Sequence, residues 1–279
     1  MVATSTPGGS QDEGRGEVVA GPGVDIYVER RGEGPPLLFL NGSGQSLATV
    51  GPLVDAIAAR FEVVAHDQRG LGRTSVPPGP YSMADYAADA AAVLDHVGWR
   101  SCRVMGVSFG GMVAQELAVT WPERIERLAL LCTSPGGPDA SSYPLHELAD
   151  LPTAERAATM LPLYDSRFTA EWLAERADDR ALVERIGARS GVDKTDEQLR
   201  GEREQLDARR RHDVTGRLGA IACPTLVACG RYDGIAPPAN GEAIVARVPS
   251  AGLRLYEGGH AFFGQDRTAL PEIFDFLSA

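Results

Sequence analysis

A serine sits among glycines at the end of an apolar run, "VMGVSFGGM" over residues 104–112. One glycine suffices for a surface turn; three around one hydroxyl imply that backbone must approach that serine closely. A strand, then G-x-S-x-G, then a helix is the pattern of a nucleophile elbow. The turn is tight enough to hold the serine strained, and glycines at 106 and 110 avoid side-chain clashes across it. The hydroxyl of Ser108 would then stand at the carboxyl end of a strand, beside a helix N-terminus whose N–H groups favour developing negative charge. Ser108 is the candidate nucleophile.

A serine needs a base, and the base needs a partner that orients it. The chain has five histidines, His66, His96, His146, His212 and His260. His260 follows the last strand-like run, in "YEGGHAFF", and Asp233 follows the preceding one, in "ACGRYDGIAPP". They lie 27 residues apart, one strand–helix–strand unit, so their loops should face each other at the carboxyl edge of a sheet. A loop histidine and a turn-capping aspartate are the plain alternatives for each alone. Together, in the order Ser, Asp, His, they point to acyl transfer with His260 as general base and Asp233 as its orienter. Two N–H donors should hold the oxyanion: that of Phe109, directly after the serine, and one from the loop "NGSGQS" (41–46). Ser43 is the expected donor of this loop, with Gly42 the alternative. Asn41, Gly42, Phe262 and Phe263 are the expected substrate-binding residues.

The elements that would carry these loops are short apolar runs closed by turn residues: "PPLLFLNG", "FEVVAHD", "CRVMGVS", "IERLALLCTS", "PTLVACGRYD" and "GLRLYEG". Helical spacing falls between them, over Ser46–Arg60, over 82–98 with Ser82 as N-cap and Gly98 as stop, and over "GMVAQELAVTWP". Two more helices are expected from about Ala239 to Val248 and near Thr268 to Leu277. Alternating strands and helices predict an α/β fold with a mostly parallel sheet covered on both faces. "VDIYVERRG" (24–32) alternates like an exposed edge strand. Residues 135–215 break the alternation, are charged and helical, and are too long for a plain loop. They are expected to form a helical cap over a core of 17–134 and 216–279, after a disordered tail at 1–16.

Within that cap, "ARRRHD" (208–213) offers Arg209, Arg210 and Arg211 as a clamp for a carboxylate. A solvated basic patch pairing with Glu202, Glu204 and Asp213 is the favoured reading. Met160, Leu161, Trp172 and Leu173 could line an acyl pocket or merely pack.

The 279 residues carry 27 basic and 38 acidic side chains, for a net charge of −11. That balance disfavours nucleic acid and anionic membranes as partners. No run approaches the ~20 apolar residues of a membrane span. The first residues lack the basic and apolar regions of a secretory signal. Cys102, Cys132, Cys223 and Cys229 lie in or beside strand-like runs without metal-ligand spacing, which suggests buried reduced thiols and a cytoplasmic chain.

At these residues the chain resembles the α/β-hydrolase superfamily from about Val18 to Leu277. "LFLNGSG", "AHDQRGLGRTSVPPGPYSMADYAADAAAVLDHVG", "VMGVSFGGMVAQELAVTWPERIERLALLCTS" and "PTLVACGRYDGIAPP…LYEGGHAFF" carry the likeness. The middle two look like the branch of 3-oxoadipate enol-lactonases, cofactor-free perhydrolases and small carboxylesterases. The resemblance implies an ester or lactone hydrolase acting on a small molecule, without metal or organic cofactor, through Ser108, His260 and Asp233, with backbone donors at Ser43 and Phe109. Carbon–carbon hydrolysis, perhydrolysis and a low-turnover ligand receptor share the scaffold. Haloalkane dehalogenases and epoxide hydrolases use a carboxylate nucleophile where this chain has Ser108. Relatives usually have His-Gly at Asn41-Gly42, a change that bears on substrate choice. In "DQRGLGRT", Asp67 and Arg69 should fix the turn after their strand by local hydrogen bonds, with His66 packed at the strand end.

Overall fold

A computed structural model describes residues 16–190 and 194–279. In chain order the elements are β1 (Gly16–Gly21), β2 (Val24–Arg31), β3 (Pro36–Leu40), α1 (Leu47–Ala58), β4 (Glu62–His66), α2 (Met83–His96), β5 (Cys102–Val107), α3 (Phe109–Thr120) and β6 (Ile125–Leu131). Then come α4 (Thr153–Tyr164), α5 (Ala170–Glu175), α6 (Ala177–Ser190), α7 (Asp196–Arg210), β7 (Thr225–Gly230), α8 (Pro238–Val245), β8 (Ala251–Tyr256) and α9 (Ala269–Ser278).

The eight strands form one sheet in the order β1-β2-β4-β3-β5-β6-β7-β8. β1 and β2 run antiparallel; from β4 onward every neighbour is parallel. Parallel strands with helices on both sides must be apolar on both faces, and β3 shows it. Leu38 and Leu40 join the core under α2, α3 and α8, while Leu37 and Phe39 join the one under α1 and α9. The α2 face expected from its spacing, at Tyr86, Ala90, Val93, Leu94 and Val97, is buried except at Val97, which is partly buried. Ser82 caps that helix by accepting from the Asp85 N–H at 3.2 Å.

β2 is not the sheet edge that its alternation suggested. It lies between β1 and β4, and β1 forms the rim with Val18 exposed. The turn at Gly21–Gly23 closes a hairpin that places Gly16, assigned to the tail, in a strand. The rest of that tail, 1–15, lies outside the described residues.

Between β6 and β7 the described residues contain the helices α4–α7 and no named strand. Their contacts run to the loops after β3, β4, β7 and β8: to Gly44, to Gln68, to Tyr232 and Gly234, and to Gly259 and His260. The helical segment therefore rests on the carboxyl ends of the parallel strands.

Candidate active site

Ser108 joins β5 directly to α3, with φ at +55° and ψ at −114°, a conformation that costs a residue bearing a Cβ. The turn is fixed from β6. The Ser108 N–H donates to the Leu131 carbonyl at 2.8 Å, and the Thr133 hydroxyl donates to the Ser108 carbonyl at 2.7 Å. A Cβ on Gly106 would collide with the Gly110 carbonyl, and one on Gly110 with the carbonyls of Leu40 and Asn41. The glycines let α3 begin against the ends of β5 and β3, which leaves the serine hydroxyl at the apex.

The loops after β7 and β8 bring two further side chains to that hydroxyl. The His260 Nε2 lies 3.0 Å from the Ser108 Oγ, and its Nδ1 lies 2.8 Å from the Asp233 Oδ2. The other carboxylate oxygen, Oδ1, accepts from the N–H groups of Ile235 and Ala236 at 2.8 and 2.9 Å. A carboxylate only accepts, so the hydrogen bond places the imidazole proton on Nδ1 and leaves the Nε2 lone pair for the serine hydroxyl. Ser108 and Asp233 are buried, and the imidazole side chain is 12% exposed.

The acid and base loops are tied together by the α4–α5 junction. The Gly234 N–H donates to the Leu163 carbonyl at 3.0 Å, that of His260 to Tyr164 at 2.6 Å, and that of Ser166 to Tyr232 at 2.9 Å. The fully buried Asp165 accepts from Arg167 at 2.6 and 2.9 Å and from the Gln265 Nε2 at 3.0 Å. Gln265 in turn accepts from the Gly259 N–H at 2.9 Å.

On the opposite side, Gly42 packs beside Ser108: a Cβ there would sit 3.6 Å from the Ser108 Cβ. In the loop after β3, the N–H groups of Gly44, Gln45, Ser46 and Leu47 each have an acceptor. Those of Gly42 and Ser43 have none among the described residues, and neither has the N–H of Phe109 at the start of α3. The N–H groups expected from the sequence to be donors therefore have no acceptor among the described residues.

Other expected residues lie differently. Asn41 is 1% exposed and spent on the loop itself, donating to the Gln45 carbonyl and accepting from Gln68. It does not present its side chain to a substrate. Phe262 is 0% exposed, stacked on Tyr256 with ring centroids 5.2 Å apart, and belongs to the core beside α9. Phe263 is half-buried against Phe262. Arg209 is not part of a solvated patch. Its guanidinium is buried and donates to the Tyr143 carbonyl and the Ser142 hydroxyl, both at 2.7 Å, and burial lowers its pKa to about 10. Arg210 and Arg211 pair with Asp207 at the surface. Trp172 is engaged by Arg167, Arg176 and Asp179 around a 460 Å³ surface cavity whose lining includes neither Ser108 nor His260.

Asp67 fixes its turn as expected, accepting from the Arg73 N–H at 2.8 Å, and also receives the Leu47 N–H of α1 at 2.6 Å. Arg69 instead reaches Asp89 on α2 in a buried pair at 2.7 Å. His66 is packed at the end of β4, with its pKa lowered by burial to about 4. The four cysteines are buried and free. Among the described residues no group of three or more His, Cys, Asp or Glu has a metal-binding arrangement. No helix among them is long and apolar enough to cross a membrane.

An eight-stranded, mostly parallel sheet with a serine at a strand–helix turn, facing a histidine and an acid from later loops, defines a class of hydrolase scaffold. The model of the alpha/beta hydrolase fold family matches residues 35–266, and the chain belongs to that family. It is 29% identical to "Putative carbamate hydrolase RutD" of Azorhizobium caulinodans, covering 91% of this chain and 94% of that one. It is 30% identical to a poly(3-hydroxyalkanoate) depolymerase of Ectopseudomonas oleovorans, covering 87% and 84%. A solved hydrolase from Pseudomonas aeruginosa PA01 superposes with a TM-score of 0.80 at 30% identity, over 96% of this chain and 100% of that one.

Proposed function

We propose that this hydrolase cleaves a small-molecule carboxylic ester or lactone through an acyl-enzyme on Ser108. The observation that carries the reading is the continuous hydrogen-bonded chain from Asp233 through His260 to the Ser108 hydroxyl, at 2.8 and 3.0 Å. In the first half-reaction His260 Nε2 takes the hydroxyl proton as Ser108 Oγ attacks the carbonyl carbon. The negative charge on the carbonyl oxygen is held by the N–H groups of Phe109 and of Ser43, with Gly42 adjacent. Asp233 stabilises the imidazolium and fixes its ring. The intermediate collapses, His260 gives the proton to the leaving alcohol, and the acyl group stays on Ser108. Water then enters, loses a proton to His260 and attacks the acyl carbon; as the acid leaves, His260 returns that proton to Ser108 Oγ.

In this reading the helical segment 135–215 is a cap that selects the substrate, because its helices close over the strand ends that carry the three side chains. A poly(3-hydroxyalkanoate) is joined by ester bonds, so the relative of that name supports ester cleavage. The relative named for carbamate hydrolysis favours a second reading, acyl transfer from a carbamate by the same serine.

Acid release in a pH-stat with short-chain esters, aryl esters and lactones of several ring sizes, together with ammonia release from simple carbamates, tests both in the parent and in Ser108→Ala. Sustained ester or lactone hydrolysis that disappears in Ser108→Ala is the expected result. Turnover confined to carbamates would select the second reading. Equal rates in the two proteins would remove Ser108 from the chemistry, and a single acylation without turnover would indicate a receptor.

A further inference from the structure

Three buried amide side chains connect the helical segment to the loop that holds the free N–H groups. Asn41, Gln68 and Gln205 are 1%, 0% and 1% exposed. Gln205, on α7, accepts from the Gly44 N–H at 2.8 Å, which turns its own amide N–H groups toward Gln68. It donates to the Gln68 Oε1 at 3.2 Å. The Gln68 Nε2 then faces Asn41 and donates to its carbonyl at 2.8 Å and to its Oδ1 at 2.9 Å. Asn41 passes the direction on, donating to the Gln45 carbonyl at 3.1 Å. Each amide is oriented by the previous one, and reversing any of them would set oxygen against oxygen. Such a buried network either fixes one arrangement or fails as a whole.

The arrangement fixed is that of the Gly42–Ser43 peptide. Asn41 holds the residue before it, and Gly44, clasped by Gln205, is the residue after it. Gln205 has a firm base. α7 meets the loop after β4 backbone to backbone, since a Cβ on Gly201 would collide with the Gly70 carbonyl. Arg200 donates to the carbonyls of Val76 and Pro77 at 2.7 and 2.8 Å, and Glu204 accepts from the Tyr81 N–H at 3.3 Å.

We propose that Gln205 is a positioning residue of the oxyanion site, through which α7 holds the N–H groups of Gly42 and Ser43 toward the carbonyl oxygen of a group attacked by Ser108. The inference rests on the acyl-transfer reading above and deepens it. The helical segment contributes to charge stabilisation in the transition state as well as enclosing the substrate. It also gives the Asn41 side chain a role, as the inner end of the relay.

The test measures p-nitrophenyl butyrate hydrolysis by the parent, Ser108→Ala, Gln205→Leu and Gln205→Glu, with butaneboronic acid and butyrate as inhibitors. The boronate adds to the serine and places an oxygen where the oxyanion forms, whereas butyrate is a ground-state ligand. Gln205→Leu is expected to lower kcat about 10- to 100-fold, since losing one oxyanion donor outright costs about 10²- to 10³-fold. KM should move less than about threefold, because the contact matters only in the transition state. Affinity for the boronate should fall in step with kcat/KM, and affinity for butyrate should hold. Gln205→Glu keeps an acceptor for the Gly44 N–H but sets a carboxylate oxygen against the Gln68 Oε1, so it should lower kcat as well. If Gln205→Leu does not fold, Gln205→Asn, which keeps the amide but shortens its reach by one methylene, carries the same comparison. An unchanged kcat, a change in KM alone, or equal losses of boronate and butyrate would overturn the inference. Activity surviving in Ser108→Ala would instead overturn the reading beneath it.

Discussion

At the scale of single residues, Asp233 has the most sharply defined geometry. One carboxylate oxygen faces the imidazole Nδ1 and the other is fixed by two backbone N–H groups. Asp233→Asn keeps the size of the side chain and can turn an N–H toward His260, which selects the wrong tautomer. Measured on any ester the parent cleaves, kcat should fall by about 10²- to 10⁴-fold at neutral pH, while circular dichroism stays that of the parent. A loss of only a few-fold would mean that Asp233 does not orient the base. Candidate reacting groups of this kind are legible in a sequence because the chemistry admits few residue types in a fixed order. The residues that hold them are not. Gln68 stands inside a block that carried the family likeness, yet its partner Gln205 is 137 positions away. Asp165 and Gln265 are separated by 100. A glutamine has no periodicity or turn preference that announces a partner so distant.

At the scale of elements, the α4–α5 junction joins the two loops that carry Asp233 and His260. Asp165 is its anchor, and Asp165→Ala would remove the main partner of Arg167, leaving it Glu257 at 3.6 Å, and one of two acceptors of the Gln265 amide, leaving Asp179 at 3.1 Å. Arg167 keeps 19% exposure and a second carboxylate partner, so the cost should be about 2 kcal/mol, below that of a fully broken buried pair. Urea unfolding of parent and variant measures it, and a change below about 0.5 kcal/mol would show that the junction is held by its backbone bonds alone. Parallel strands and α2 are readable from apolar runs and caps, whereas β1 is not read as a strand because its six residues include two glycines and only one buried position. Phe262 illustrates the converse. Proximity to His260 in sequence suggested a ligand contact, but the chain turns immediately after the histidine and drives the ring into the core under α9.

At the scale of the whole molecule, two histidines outside the candidate active site link stability to pH. His66 and His212 are buried, and desolvation lowers both from 6.5 to about 4. The unfolded chain therefore takes up protons first as pH falls. The stabilisation is complete above about 6.5 and is lost down to about 4, by up to ~3 kcal/mol for each histidine. Urea midpoints at pH 7.5 and 5 should show the decline, and His66→Leu should flatten part of it; an unchanged slope in that variant would place the acid sensitivity elsewhere. The helical segment meets the carboxyl edge of the sheet on both sides of Ser108, through Gln205 to the loop after β3 and through Leu163–Ser166 to the loops after β7 and β8. The loops it touches there include those that carry Gly42 and His260 beside the Ser108 hydroxyl. The most direct test is therefore the fate of that hydroxyl. The parent would be mixed with a p-nitrophenyl ester in excess, quenched in acid within the first turnovers, digested and mapped by mass spectrometry. The predicted result is a burst of p-nitrophenol with the acyl group on the peptide containing Ser108, and neither in Ser108→Ala. Steady hydrolysis with no acylated Ser108, or undiminished hydrolysis by Ser108→Ala, would contradict it.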